Sequence, residues 1–369
     1  VGTISKRESL TFLGPSEALA MVMIYMGAKA FLGYPRLMAY QGLNAGWLLT
    51  VLGGLTAAAF WLAVSALLAR FPGKSIVEIN EIILGRPLGL GLNALILVYL
   101  VFSSGVFLRQ FSESVIITAL PDSPLSSLAG LFLLTVLIAA YFGLESISRN
   151  SHIALPFILI GVAAVLVSLY TFWDAKELLP ILGAGAGPVL VHGLLGSSAY
   201  GEVLLLAILA PFFSFGANTI RKVGLIGIGV VMLYFAAITA VYLMVIPIPG
   251  ATETLAPFYQ LSRTIYVGRY YQRLESVFVL FWTYTAFLQL AIGLIVTALA
   301  AQATLKLPYY RPLLPALAVL FLSLALTPAS LMENTIIEEY QLLYGGLFLF
   351  LVPFGVWALA ALKEKAEKQ

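Results

Sequence analysis

Long, nearly uncharged apolar stretches constrain this chain more than any other feature. Residues 45–69, 125–142, 223–248 and 340–362 each approach or exceed the roughly 20 residues that a bilayer core demands of a helix. They lack period-2 alternation, so they read as helices and not as barrel strands. A soluble domain is about a quarter charged, whereas 10% of these 369 residues are charged and 61% are hydrophobic. No water-covered surface of this size can be built from that supply. The expected fold is therefore all-α and integral to a membrane, with about ten transmembrane helices.

The spans are placed at roughly 11–39, 45–69, 88–120, 125–143, 152–173, 187–215, 220–248, 271–302, 311–328 and 340–362. No linker or low-complexity tract divides them, so residues 1–369 are expected to form a single transmembrane domain. Lysine and arginine set the orientation. With the N-terminus in the cytoplasm, the inner segments hold Lys6, Arg7, Arg70, Lys74, Arg86, Arg149, Arg221, Lys222, Lys306, Arg311, Lys363, Lys365 and Lys368. The outer ones hold only Arg36, Lys176, Arg263, Arg269 and Arg273, and an even number of spans returns the C-terminus to the cytoplasm. The start is polar (Thr3, Ser5, Lys6, Arg7, Glu8), with no short apolar core and small-residue cleavage site, so no cleavable signal peptide is expected.

Several function classes fall away. The net charge of +3 is weak and its basic residues are spread between spans, so no nucleic-acid partner is expected. Cysteine is absent, which rules out a disulfide frame or a Cys metal site. His192 has no second histidine at metal spacing, and there is no Walker motif or nucleophile elbow. Neither enzyme chemistry, a metal nor a cofactor is expected. Glu78 and Glu81, in the amphipathic segment 75–84, read as one face of a helix on the inner surface. Glu145 and Arg149 read as a loop ion pair beside His152. An outer capping helix is expected within 249–270.

Two of the spans are interrupted. The first reads MVMIYMGAKAFLGYPRLMAY, with Gly27, Gly33 and Pro35 around Lys29. The sixth carries GSSAYGE, in which Gly196 and Gly201 bracket Ser197, Ser198, Ala199 and Tyr200 before Glu202. Glycine and proline weaken a helix, and unwound backbone at membrane depth survives only inside protein or beside a water-filled cavity. The breaks open two successive sets of five spans, about 11–173 and about 187–362. That placement points to a five-plus-five inverted-repeat transporter fold, with a midplane site between the facing half-helices.

An ordered set of short motifs supports this. It comprises MGAKAFLGYPR with Gly46–Trp47, FLRQFSESVIITALPDSPL at 107–125, YFGLESISRNSHIALP at 141–156, LLPILGAGAGPVL at 178–190, YGEVLLLAILAP at 200–211 and QRLESVFVLFW at 272–282. Along nearly its whole length the chain resembles the B subunit of bacterial spore germinant receptors, the spore-germination branch of the amino acid–polyamine–organocation superfamily. The resemblance implies ten spans in the five-plus-five fold. It also implies a nutrient-sensing role, usually for an amino acid, in the spore inner membrane, a bacterial cytoplasmic membrane. The partners implied are a membrane-embedded A subunit and a C-subunit lipoprotein. The chain departs from the family at Lys29, where the first break commonly carries a second glycine; an ammonium there occupies part of the pocket or a cation position.

The candidate ligand-binding residues are Gly27, Ala28, Lys29 and Ala30 in the first break, and Ser197, Ser198, Ala199 and Tyr200 in the sixth-span break. Tyr200 is expected to close over the ligand as an aromatic gate. Tyr99 and Ser103 lie one turn apart in the third span, and Thr283 and Tyr284 lie in the eighth; all are candidates to face the midplane. A charge near the bilayer centre marks function by default. Lys29 is therefore expected to pair with Glu202, in place of a coupling ion or to move a proton. A second reading gives Glu202 only a stabilising bond to unwound backbone. Arg109 and Glu113, four apart on one helical face, read as a structural ion pair. The leading reading is a germinant-sensing subunit that binds an amino acid or a similar small zwitterion. The alternative is a proton-coupled amino acid permease, and the two share a fold.

Overall fold

The computed structural model describes residues 13–265 and 275–367. Arg269, Arg273, the polar start and residues 272–274 of the motif at 272–282 lie outside the described residues.

Apart from one bridge between Leu13 and Phe213, the described residues fold entirely as helices and connecting turns. Seven helices are long and apolar enough to cross a membrane unaided. Two shorter apolar helices, Leu125–Tyr141 and Arg311–Ala325, complete the fourth and ninth passes. Large side chains such as Leu131, Phe157, Ile160, Leu233, Leu280 and Val319 stand exposed around the outside. An apolar surface of that extent is intolerable in water and is what a lipid-facing belt requires. The chain is an integral membrane protein.

The first pass is made of two half-helices. Pro15–Gly27 ends in a tight turn, Ala28–Phe31, and the helix restarts as Tyr34–Gly42. Pro35 sits at the restart, where the missing N–H costs nothing. The sixth pass runs Ala186–Leu195, then narrows to a 3₁₀ stretch over Gly196–Leu204, then resumes briefly as Leu205–Ile208. Neither break is open coil. Both are 3₁₀ turns with their backbone groups largely bonded, so the supply of free N–H and C=O groups is smaller than the sequence suggests. The second pass is Gly46–Arg70, the third Arg86–Thr118, the fifth Leu144–Ser168, the seventh Ala217–Val245 and the eighth Glu275–Leu305.

The tenth pass differs from expectation. It starts at Leu331 and not near 340, as Leu331–Tyr340, makes a π-turn over Gln341–Gly345 and continues as Gly346–Glu367. Its first turns, LMENTIIEEY, are too polar to read as a span, yet they are helical because Ser330 caps the end by accepting from Glu333 N–H at 3.2 Å.

The amphipathic segment forms a short helix, Ile76–Leu84, opened by a reciprocal cap. Ser75 N–H donates to Glu78 at 2.9 Å, and Ser75 Oγ accepts from Glu78 N–H at 3.3 Å. Asn80 and Asn93 bond at 2.9 Å and fasten this helix to the third pass. Glu81 pairs with Lys306 at 2.8 Å. Glu145 and Arg149 do pair, but within the first turns of the fifth helix and not in a loop. Between the seventh and eighth passes stand two short helices, Gly250–Glu253 and Pro257–Thr264.

Candidate functional site

Lys29 leaves the first break from the turn Ala28–Phe31 and points at the second. Its Nζ donates to Glu202 Oε1 and Oε2 at 2.6 Å each and to the Ala199 carbonyl at 2.8 Å. The carboxylate and the carbonyl of the second break thus hold the ammonium from one side. Lys29 and Glu202 are each only 7% exposed, so the pair joins two elements 173 residues apart in the interior. A 3₁₀ turn makes this possible, because it brings the Ala199 carbonyl and the Glu202 side chain to one side, three residues apart.

Beside this pair lies a narrow cavity of about 20 Å³. Tyr25, Lys29 and Leu32 line it from the first pass, and Ser103, Val106, Phe107 and Gln110 from the third. Glu202 comes from the sixth, Gln289 from the eighth, and Glu338, Gln341 and Leu342 from the tenth. Ser103 accepts from Gln341 Nε2 at 2.7 Å. Gln110 donates to Glu338. Gly33 makes room for that contact: a Cβ there would sit 2.6 Å from Glu338 Oε2. On the same side, Arg36 pairs with Glu339 at 3.0 Å and ties the first pass to the tenth.

The second break is braced against the π-turn. Ser198 Oγ donates to the Gln341 carbonyl at 3.2 Å and accepts from Gly346 N–H at 2.6 Å. Gly346 is required here because the Ser198 backbone occupies the place of a Cβ. The π-turn is what presents Gln341 to the cavity and Gly346 to the break, a usual role for such turns.

Of the residues singled out in the sequence, Lys29, Glu202 and Ser103 meet at the cavity, and Ala199 contributes its carbonyl to Lys29. Several others do not line it. Tyr200 is fixed elsewhere: its hydroxyl donates to the Thr50 carbonyl at 2.9 Å and its ring packs on Phe235. Tyr99 packs against Gly345 of the π-turn. Ala28, Ala30 and Ser197 are buried in the packing around the breaks. Thr283 and Tyr284 are not on its wall; Tyr284 donates to Asn150 at 2.5 Å. Gly27 borders a separate apolar cavity with Met23, Ile158, Tyr234 and Thr285.

Glu338, Gln341, Gln110, Gln289 and Tyr25 were not foreseen. Helical spacing held a signal for two of them: Gln110 is seven residues after Ser103, and Tyr25 is four before Lys29. The Arg109–Glu113 pair lies apart from the cavity. Arg109 Nε meets Glu113 at 2.6 Å, its Nη1 donates to the Ala325 carbonyl at 3.0 Å, and Asn334 donates to Glu113 at 3.4 Å.

Comparison with known proteins decides the affiliation. The model of the family described as "Spore germination protein" matches residues 13–332. The chain belongs to the spore germination protein family. Three family members of Bacillus subtilis (strain 168) are similar to it. Spore germination protein KB is 24% identical over 368 residues, covering 95% of both chains. Spore germination protein YndE is 25% identical over 290 residues, 78% of both. Spore germination protein B2 is 23% identical over 365 residues, 96% of both. Among solved structures, the nucleobase-cation-symport-1 family transporter Mhp1, closed with bromovinylhydantoin bound, superposes with a TM-score of 0.68 at 14% identity, over 90% of this chain and 75% of its own. MhsT in complex with L-phenylalanine gives 0.61 at 16% identity, over 92% and 88%. This spore germination protein is thus built on a transporter fold.

Proposed function

We propose that the chain is the ligand-sensing subunit of a nutrient germinant receptor and that it binds a small amino-acid-like molecule in the cavity between its two broken spans. The observation that carries this is the buried Lys29–Glu202 bridge, which links the two breaks at the wall of a narrow, mixed polar and apolar cavity. Ionised groups at membrane depth are costly and persist where they serve a site. Two fold neighbours carry small ligands, bromovinylhydantoin and L-phenylalanine.

In this reading the chain sits in the spore inner membrane with both termini in the cytoplasm, as a single transmembrane domain of two five-span repeats. It works with an A subunit and a C-subunit lipoprotein. The fold also suits a proton-coupled permease, because Lys29 and Glu202 form a buried acid–base pair between the two elements that rock against each other in such transporters.

Thermal stabilisation of the purified chain against the twenty amino acids tests the site, and proteoliposome uptake of each hit separates the two roles. A stabilising ligand without uptake supports the sensor. Uptake driven by a pH gradient replaces it with the permease. No stabilisation by any of them contradicts a ligand site of this class.

A further inference from the structure

The cavity is short of positive charge. Lys29 brings one ammonium, but Glu202 at 2.6 Å already matches its charge. Glu338, 5% exposed, is a second carboxylate on the cavity wall. Its bonded partner is the neutral amide of Gln110, while the nearby Arg36 is engaged by Glu339. Two amide oxygens add to this surplus of acceptors. Gln289, 3% exposed, and Gln341 both line the cavity, and both Oε1 atoms are buried with no donor. A buried acceptor without a donor costs free energy, and a buried carboxylate without a cation costs more.

From this juxtaposition we infer that the cavity takes an organic ammonium, whose cationic head is received by Glu338 with Gln289 and Gln341 as further acceptors. This deepens the function proposed above and rests on its placement of the ligand site. It places the amine at Glu338 and not at Glu202, because Lys29 already fills the position beside Glu202. It also makes a ligand carboxylate dispensable, since Glu202 already matches the Lys29 charge. The walls contributed by Leu32, Val106, Phe107 and Leu342 suit the carbon skeleton of an amine better than a lone metal cation.

The test is thermal stabilisation of the full-length protein in detergent by four sets of probes. These are the twenty amino acids, the amines left when each is decarboxylated, the acids left when each is deaminated, and potassium chloride. The expected result is stabilisation by one or more amines and by the parent amino acids, and none by the acids or the salt. Glu338→Gln is expected to weaken binding of the effective amine by about ten- to hundredfold, the loss of a charge-assisted contact. Glu338→Asp should restore part of that loss, and Gln289→Leu should weaken the same amine without removing the charge. Should Glu338→Gln not fold, the Glu338→Asp and Gln289→Leu titrations carry the test.

Stabilisation by amino acids and acids but not by amines would overturn the ammonium site and leave the ligand cavity standing. So would an affinity for the amine unchanged in every folded variant, or stabilisation by potassium chloride alone. No stabilisation by any probe would overturn both.

Discussion

Two buried ion pairs of the same chemistry have opposite surroundings in this protein. Arg109–Glu113 lies within one helix, four residues apart, and its remaining bonds go to the Ala325 carbonyl and Asn334 of neighbouring elements. Lys29–Glu202 joins two different broken spans and forms part of a cavity wall. A pair closed off by its own helix and by packing is scaffold. A pair that bridges two interrupted elements beside empty space can feel a ligand and a movement of either element. Position relative to the breaks, and not burial alone, distinguishes them.

The largest effect should come from breaking the bridge. Lys29→Met leaves Glu202 buried without its cation and is expected to destabilise by about 3–5 kcal/mol, with ligand-induced stabilisation lost. In Lys29→Met/Glu202→Leu most of the thermal stability should return, as apolar replacement of a buried pair is often neutral, while ligand binding stays absent. Recovery of both in the double variant would make this pair scaffold like the other.

Arg109→Ala should cost a comparable or slightly smaller amount, roughly 3 kcal/mol, read as lower expression and melting temperature. The protein that does fold should bind ligand with unchanged affinity. Selective loss of binding in a stable Arg109→Ala protein would erase the contrast between the pairs.

Gly346→Ala sharpens the comparison from the side of the second break. The new methyl meets the Ser198 backbone and should cost about 1–3 kcal/mol, with ligand affinity reduced because the break and the π-turn must separate. Thr283→Ala should do least, within about 0.5 kcal/mol and with unchanged ligand titration, since Thr283 is not on the cavity wall.

Much of the architecture was legible in the sequence, for reasons that differ by element. The spans show in hydropathy because lipid removes the choice between apolar and polar surface. The breaks show because Gly27, Gly33, Pro35, Gly196 and Gly201 are the residues that interrupted helices need. Lys29 and Glu202 show because charge is rare at that depth.

The tenth pass hid its share of the site. Glu338 and Gln341 sit in and just after a polar stretch that resembles a loop, and the π-turn shifts their helical phase, so neither hydropathy nor spacing placed them. Tyr200 and Thr283 failed for the opposite reason. Their residue types suit a site, but facing direction in a 3₁₀ stretch or a long straight helix is fixed by packing against Thr50, Phe235 and neighbouring spans.

The most direct test of the central claim uses the absence of cysteine in the chain. Ser103→Cys places a single thiol on the cavity wall, and Asp174→Cys places one in an exposed turn as control. Modification by a small cationic thiol reagent would be followed with and without a stabilising ligand. The account predicts that ligand slows modification at position 103 at least about tenfold, as occupancy near saturation requires, and leaves position 174 unaffected. Equal rates at position 103 with and without saturating ligand would contradict the assignment of this cavity as the binding site.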